Sequence, residues 1–234
     1  MWSRSELKSN AKLVLKRTYW LAFAVCLVTG LLAGVSSSYS TLNSLRLNFD
    51  IVFPTSILIT VGLFSFLYAL FISSPLSVGL NNFFLTSREY DASFGKLFSV
   101  FSGSSYINVV KILFLQGLYI VLWTCLLFVP GIIKSYEYIF IPYILAENPE
   151  LSKKRVFEIS KAMTNGDKFN IFVLQLSFLG WELLGMLCCF VGIYFVVPYV
   201  NATFAELYVA KRTQALMNGD ATESELCGFH SEEM

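Results

Sequence analysis

The chain has 234 residues, of which 56% are hydrophobic and only 14% are charged, and its formal net charge is +1. Typical soluble domains carry about 25% charged residues. A net charge near zero also provides no long-range field for binding nucleic acid. The composition therefore argues against a nucleic-acid-binding protein and favours a chain that lies in a membrane.

The arrangement of the apolar residues separates a membrane protein from a soluble protein with a large core. Residues 51–87, 112–133 and 183–205 contain no charged side chain. About 20 apolar residues in a helix span a hydrocarbon core of about 30 Å. Each of the three stretches is long enough to do so, and we predict an all-α polytopic integral membrane protein.

The first predicted element is an amphipathic helix that begins at a capping box, in which Ser3 and Glu6 bond each other's backbone amides. Leu7, Ala11 and Val14 fall on one face of this helix. Basic side chains recur every four residues along another face: Arg4, Lys8, Lys12 and Lys16. Such a helix is expected to lie in the membrane surface, with its charges towards anionic headgroups. A cleaved signal peptide is the alternative, because the following apolar stretch is short.

The apolar runs predict six transmembrane helices. These cover residues 19–35, 54–73, 107–129, 132–146, 169–189 and 193–210. Two further amphipathic helices are predicted to rest on the membrane surface. One carries Phe94, Leu97, Phe98 and Phe101 at helical spacing, and the other follows Asn148 and contains the basic residues Lys153, Lys154 and Arg155. Residues 1–212 form the membrane domain, and the acidic, polar tail 213–234 is expected to be disordered.

The fourth span is the least apolar, because it contains Lys134 and Glu137. The distribution of basic residues tests it. With six spans, fourteen of the 17 basic residues lie on one side of the membrane. Without the fourth span, the basic loop at residues 153–168 would move to the opposite side. Because basic loops stay in the cytoplasm, we predict six spans with both termini cytoplasmic.

Several long motifs of the chain are similar to those of a known family. They are LKSNAKLVLK, PLSVGLNNFFL, VPGIIKSYEYIFIPYILAENPELS, FLGWELLG and VPYVNATFAELY. They resemble the bacterial membrane family called domain of unknown function 975, over nearly the whole chain up to Lys211 and Arg212. The resemblance implies a six-helix protein of the bacterial cytoplasmic membrane, without an established activity.

A more distant likeness connects the chain to the membrane domain that accompanies some glycerophosphodiester phosphodiesterases. The sequence contains no counterpart of their soluble catalytic domain, so the likeness implies no phosphodiesterase chemistry. The residues themselves agree with this, because the single histidine, His230, lies in the tail and the five cysteines follow no metal or redox spacing. We therefore predict no catalytic residue, no metal ion and no cofactor.

A sparse set of polar side chains inside the predicted spans forms the candidate site: Glu182, Lys134, Gln175, Asn201 and Gln116. An ionisable group inside a membrane is a functional-site hypothesis by default. Helix rise places Glu182 and Lys134 at similar depth, so an ion pair between them is geometrically feasible. Three roles stay open for Glu182: a structural group that fixes helix register, a coupling site for substrate or protons, and a catalytic acid.

The leading hypothesis for function is a non-enzymatic scaffold or accessory protein of the bacterial cytoplasmic membrane. It would contact the lipid bilayer, with anionic lipids, other membrane proteins or a second copy of the chain as candidate partners. Gly185 and Cys189 form a small-xxx-small pair, which suits a homo-oligomer. The alternatives are a small transporter or lipid-handling protein and, third, a membrane-embedded enzyme. A water-filled cavity at Glu182 would favour transport, whereas a dry bundle would favour the scaffold.

Overall fold

A computed structural model of the chain describes residues 2–35, 44, 54–89, 92–187 and 191–228. Every regular element in these ranges is helical. The α-helices are α1 (Arg4–Val35), α2 (Thr55–Tyr68), α3 (Ser74–Ser87), α4 (Tyr106–Leu126), α5 (Phe128–Glu137), α6 (Ile141–Glu147), α7 (Lys153–Thr164), α8 (Lys168–Leu176), α9 (Leu179–Leu187) and α10 (Val191–Asn218). A π-helical turn, Ala69–Ser73, joins α2 to α3, and a 3-10 helix covers Phe94–Ser102.

Five helical runs within the described residues have the length and apolar composition of membrane spans. They are Arg4–Gly34, Thr55–Ser87, Tyr106–Leu126, Lys168–Met186 and Gly192–Asn218. An all-α polytopic membrane protein is thereby confirmed. In the second run, only 11% of the residues in its most apolar 18-residue stretch are buried, whereas 50% are buried in the last run. Exposure of apolar helix faces is expected where lipid surrounds a helix, because lipid tails are as apolar as leucine.

Helix α1 is continuous over 32 residues, which corresponds to about 48 Å at about 1.5 Å per residue. The predicted division into a surface helix and a separate first span is therefore wrong. Leu7, Ala11, Leu15 and Ala22 are all buried along one face, which packs mainly against α10. No glycine or proline interrupts residues 4–29. The buried face therefore continues from the basic segment into the apolar one without a bend.

The junction of α2 and α3 is shaped by Pro75. Proline has no N–H, and its ring clashes with the carbonyl four residues earlier, which here belongs to Phe71. The π-helical turn Ala69–Ser73 widens the helix before Pro75, and the Phe71 carbonyl accepts a hydrogen bond from the Tyr106 hydroxyl. The helical run consequently continues to Ser87 and does not stop at residue 73, where the predicted second span ends.

The predicted helix with the four apolar side chains is present, but as a 3-10 helix packed against α3. Leu97 is fully buried, whereas Phe94, Phe98 and Phe101 are 36–40% exposed. Leu97 therefore points into the bundle, whereas the three phenylalanines lie at its surface. The Leu97 carbonyl oxygen lies 1.9 Å from the position that a Cβ on Gly79 would occupy, so only glycine permits this contact.

After α4 the chain turns at Leu127, and α5 returns antiparallel along α4. Near the turn, Gly131 packs against Thr124, where a Cβ would lie 2.8 Å from the Thr124 Cα. Further along, Gln116 Nε2 donates a hydrogen bond to the Tyr138 carbonyl at 3.1 Å. The two helices therefore stay in contact from the turn to the middle of α4.

The segment that follows α5 continues in the same direction. Asn108 Nδ2, at the start of α4, donates to the carbonyls of Pro149 and Leu151 at 2.8 and 3.0 Å. The predicted fourth span, residues 132–146, is thus two short helices, α5 and α6, rather than one. The break has a local cause, because Pro142 lies in the first turn of α6 and cannot donate the hydrogen bond that would extend α5.

Both ends of the described chain lie at the same end of the bundle. Trp2 Nε1 donates to Asp167 Oδ2 at 3.2 Å, and the ammonium group of Lys211 contacts the same carboxylate. Asn148, which follows α6, donates to the Glu225 carbonyl at 3.2 Å. The opposite end carries the turn between α4 and α5, whose apolar side chains at residues 126–129 are 62–71% exposed.

The expectation of a disordered tail is wrong for residues 213–228. Helix α10 continues to Asn218, and the chain then turns at Gly219 and folds back. Leu226 is fully buried, and its carbonyl accepts a hydrogen bond from Arg212 Nη2 at 2.5 Å. The polar composition hid this segment, because only two apolar anchors, Ala221 and Leu226, and two arginines, Arg155 and Arg212, hold it in place. Residues 229–234, including the histidine, lie outside the described residues.

Candidate functional site

The polar residues predicted to share one site are held by separate partners. Gln175 on α8 accepts a hydrogen bond from the Tyr136 hydroxyl of α5 at 2.8 Å. Gln116 Nε2 on α4 donates a hydrogen bond to the Tyr138 carbonyl at the end of α5. Each amide therefore joins two helices, and the two contacts stabilise the packing of α5 against its neighbours.

Asn201 and Glu182 make weaker polar contacts than the two glutamines, or none, in the described part of the chain. Asn201 Nδ2 on α10 lies 3.6 Å from Cys26 Sγ on α1 and donates a weak hydrogen bond to it. Glu182 lies in the first turn of α9 and is half-buried. Within the described residues its carboxylate makes no hydrogen bond or ion pair. The five predicted residues thus do not form one constellation.

Lys134 forms its ion pair with Glu137, and the feasible pair with Glu182 is not formed. Lys134 Nζ lies 2.7 Å from Glu137 Oε1, and Lys168 Nζ lies 2.6 Å from the other carboxylate oxygen. The Glu137 side chain is only 5% exposed. The sequence-based placement failed because α5 begins at Phe128, so that Lys134 lies well inside the returning segment and not at its outer start.

A second buried cluster, which the sequence analysis missed, surrounds Glu147 at the end of α6. Arg212 Nε donates to Glu147 Oε2 at 3.1 Å, and the two side chains are 5% and 1% exposed. Tyr208 is fully buried near the same carboxylate, and its ring stacks on Tyr143 with 5.1 Å between centroids. Burial raises the pKa of Glu147, while the charge of Arg212 acts in the opposite direction.

Two further ionic contacts fasten α10 to the rest of the bundle. Arg88, which follows α3, lies with its Nε 2.6 Å from Glu206 Oε1. Lys211 pairs with Asp167, the residue that precedes α8. Together with Arg212, every charged side chain of α10 is in an ion pair with another element. The sequence could have indicated these ion pairs, because opposite charges occur at the same ends of different predicted spans.

The predicted surface-basic residues divide into two groups. On α1, Lys8 donates to Ser177 Oγ at 2.7 Å and lies 4.5 Å from the centre of the Phe178 ring. Lys12 lies 5.7 Å from the centre of the Tyr199 ring. These two lysines therefore reach neighbouring helices, whereas Lys16 is exposed.

The basic residues of α7 likewise divide into exposed residues and one that contacts another part of the chain. Lys153 and Lys154 are exposed, but Arg155 Nε lies 2.5 Å from Glu225 Oε1 in the folded-back tail. Arg155 also donates to the Asp220 carbonyl at 2.7 Å. The hydrogen bond from Arg155 lowers the pKa of Glu225 to about 2.

Glu182 lines neither of two cavities in the described part of the chain. The first lies between the start of α1 and the segment before α8, beside Trp2 and Asp167. The second lies between α4, α5 and α7. The described residues contain no group of three or more His, Cys, Asp or Glu side chains that could hold a metal ion.

The small-xxx-small pair also has an intramolecular role. A Cβ on Gly185 would lie 2.8 Å from the backbone nitrogen of Ile193, so Gly185 allows α9 to approach the start of α10 closely. Its predicted partner, Cys189, lies outside the described residues. The close approach therefore serves packing within one chain.

The family model described as "Protein of unknown function (DUF975)" matches residues 125–214. This range contains the Lys134–Glu137–Lys168 cluster and both residues of the Glu147–Arg212 pair. No curated protein and no solved structure matches the chain. The likeness to the membrane domain of glycerophosphodiester phosphodiesterases therefore stays a prediction. Residues 125–214 of the chain are therefore similar to the DUF975 family of proteins of unknown function.

Proposed function

We propose that the chain is a non-enzymatic scaffold or accessory protein of the bacterial cytoplasmic membrane. The use of its charged residues is the observation that supports this proposal. Glu137, Glu147, Asp167 and Glu206 are each paired with a cation of another element. A transporter or an enzyme needs polar groups that are free to bind substrate. Here most of the polar groups join helices to one another instead.

We further propose six membrane crossings with both termini in the cytoplasm. The path of α5 and α6 along α4 supports a crossing in two pieces, and the two ends of the described chain lie at the same end of the bundle. Reporter fusions after Ser3 and after Asn218 are expected to report the cytoplasm, because basic loops stay there. Opposite sides for the two fusions would contradict this topology.

Photo-crosslinking in native membranes tests the scaffold role. A crosslinking amino acid is placed in turn at lipid-facing positions such as Leu63, Leu126 and Leu184, which are all exposed. A scaffold is expected to crosslink to other membrane proteins from one of these faces, and Glu182→Gln is expected to leave the pattern unchanged. A protein that crosslinks only to lipid at every position would contradict the role.

A small transporter is the second candidate, and one observation favours it: the half-buried Glu182 carboxylate has no partner within the described residues. Glu182→Cys in a cysteine-free variant distinguishes the two functions. A transporter requires water at this depth, so that the thiol would react with a membrane-impermeant maleimide. The labelling is done on open membrane fragments, in which both faces are accessible. A scaffold with a dry bundle is expected to protect the thiol, while a control cysteine at Ser3 reacts in both cases.

A further inference from the structure

A cavity of about 370 Å³ opens between α4, α5 and α7. Its inner wall is aromatic, because Phe157 packs edge-on against Tyr119 and Tyr138 with ring centroids 5.6 and 5.0 Å apart. Ser160 Oγ on α7 donates to the Glu137 carbonyl at 2.8 Å and holds α7 against α5. The cavity is therefore built on contacts that fix all three helices.

Positive charge dominates the lining, which comprises four lysines and two glutamates: Lys134, Lys153, Lys154, Lys161, Glu137 and Glu158. Glu137 is already neutralised by Lys134 and Lys168, at 2.7 and 2.6 Å. Within the described residues, Lys153 and Lys161 make no ion pair, and both are exposed. The cavity thus offers two unpaired ammonium groups to an anion.

Exposed apolar side chains lie near the cavity-lining residues Tyr119 and Lys134 along α4 and α5. On α4, Leu118 and Leu122 flank Tyr119 and are 40% and 56% exposed, and Ile133 on α5 is 46% exposed. A free phosphate ion would use only the lysines. A phospholipid would use both surfaces, with its headgroup at the lysines and its acyl chains along the exposed leucines.

We propose that this cavity binds the headgroup of an anionic phospholipid, with the phosphate held by Lys153 and Lys161. Basic pockets between membrane helices on the cytoplasmic side are suited to such headgroups. The aromatic wall adds surface on which the glycerol region can pack. This inference goes beyond the scaffold role, because it requires only a bilayer around the bundle and would hold equally for a transporter.

Tryptophan quenching by brominated lipids tests the proposal on the full-length chain. Trp123 is a suitable reporter, because the Lys134 ammonium group lies 5.6 Å from the centre of its ring. The other tryptophans are replaced by phenylalanine: Trp2, Trp20 and Trp181. The protein is placed in phosphatidylcholine nanodiscs, and brominated phosphatidylglycerol is compared with brominated phosphatidylcholine. Phosphatidylglycerol is expected to quench Trp123 at the lower mole fraction.

Paired substitutions separate the cavity from general surface charge. Lys153→Gln with Lys161→Gln is expected to lower the preference for phosphatidylglycerol by about 5-fold for each charge removed. Both side chains are exposed, so the melting temperature is expected to stay the same. The control, Lys12→Gln with Lys16→Gln, removes two exposed lysines of α1 and is expected to keep the preference.

Three results would overturn the proposal. Equal quenching by the two lipids would show that no anionic lipid is selected. An equal loss of preference in the control variant would assign the effect to general surface charge. Displacement of the lipid by 10 mM inorganic phosphate at constant ionic strength would identify a phosphate site without a lipid component.

Discussion

Gln116 donates its side-chain hydrogen bond, at 3.1 Å, to the carbonyl of Tyr138, which lies four residues before Pro142. In an uninterrupted helix this carbonyl would accept the N–H of residue 142, which proline lacks. The Tyr106 hydroxyl likewise donates a hydrogen bond to the carbonyl of Phe71, which lies four residues before Pro75. Side chains of α4 therefore donate hydrogen bonds to carbonyls at both proline breaks. Such bonds allow a helix to be interrupted inside an apolar bundle, because the freed backbone groups still have partners.

This relationship predicts coupling between Gln116 and Pro142. Gln116→Leu is expected to cost about 0.6 kcal/mol or more of unfolding free energy, the typical value of a hydrogen bond between membrane helices. In a Pro142→Ala background, residue 142 regains its N–H, so the same substitution is expected to cost less. A double-mutant cycle on unfolding in detergent micelles measures the difference, and additive effects would contradict it.

The Glu147–Arg212 pair predicts an asymmetry between its two single substitutions. Glu147→Gln leaves the buried guanidinium charged, since arginine does not lose its proton. Removing one partner of a buried pair costs about 3–5 kcal/mol. Arg212→Met leaves a carboxylate that can take up a proton, and burial already raises the pKa of Glu147. We therefore expect Glu147→Gln to be the more destabilising change.

Thermal unfolding in detergent at several pH values measures this asymmetry. The stability of Arg212→Met is expected to rise as the pH falls, because protonation removes the unpaired negative charge. The double variant Glu147→Gln with Arg212→Met is expected to recover part of the loss. Equal melting temperatures for the two single variants at all pH values would contradict the buried-pair assignment.

The Arg155–Glu225 contact predicts a pH-dependent release of the folded-back tail. The pKa of Glu225 is lowered from 4.5 to about 2, mainly by the hydrogen bond from Arg155. A lowered pKa stabilises the docked state above the unfolded pKa, and this contribution is lost as the pH falls through the folded value. Protection of residues 219–228 against hydrogen exchange is therefore expected to decrease as the pH falls from about 4.5 towards 2. Glu225→Gln is the control and is expected to lose this part of the pH dependence.

Two glycines provide a matched test of the contact between α3 and the 3-10 helix. Gly79→Ala would place its Cβ 1.9 Å from the Leu97 carbonyl oxygen, so that one of the two elements must move. We expect a loss of about 1–3 kcal/mol in unfolding free energy, as for overpacked cores. Gly117→Ala on α4 meets no atom within 4 Å and is expected to be neutral or slightly stabilising. Equal melting temperatures for the two variants would contradict the close approach.

The amino-acid sequence determined the features that depend on local composition. Hydropathy identified the polytopic membrane protein, and five of the six predicted spans overlap the five long apolar helices of the structure, because apolar length is a property of consecutive residues. The amphipathic helix α7 was predicted from its periodicity, and its apolar residues Val156, Ile159 and Met163 are buried. Most of the motifs with a family resemblance lie within the matched residues 125–214.

The tertiary structure decided which side chains meet, because packing partners lie far apart along the chain. Depth alone suggested Glu182 as the partner of Lys134, but the turn at Leu127 sets the actual position of Lys134 beside Glu137. The tail had the composition of a disordered segment, yet Leu226 is buried and Arg155 meets Glu225 across 70 residues. Ion pairs and docked segments depend on three-dimensional distance, which hydropathy and helical periodicity do not contain.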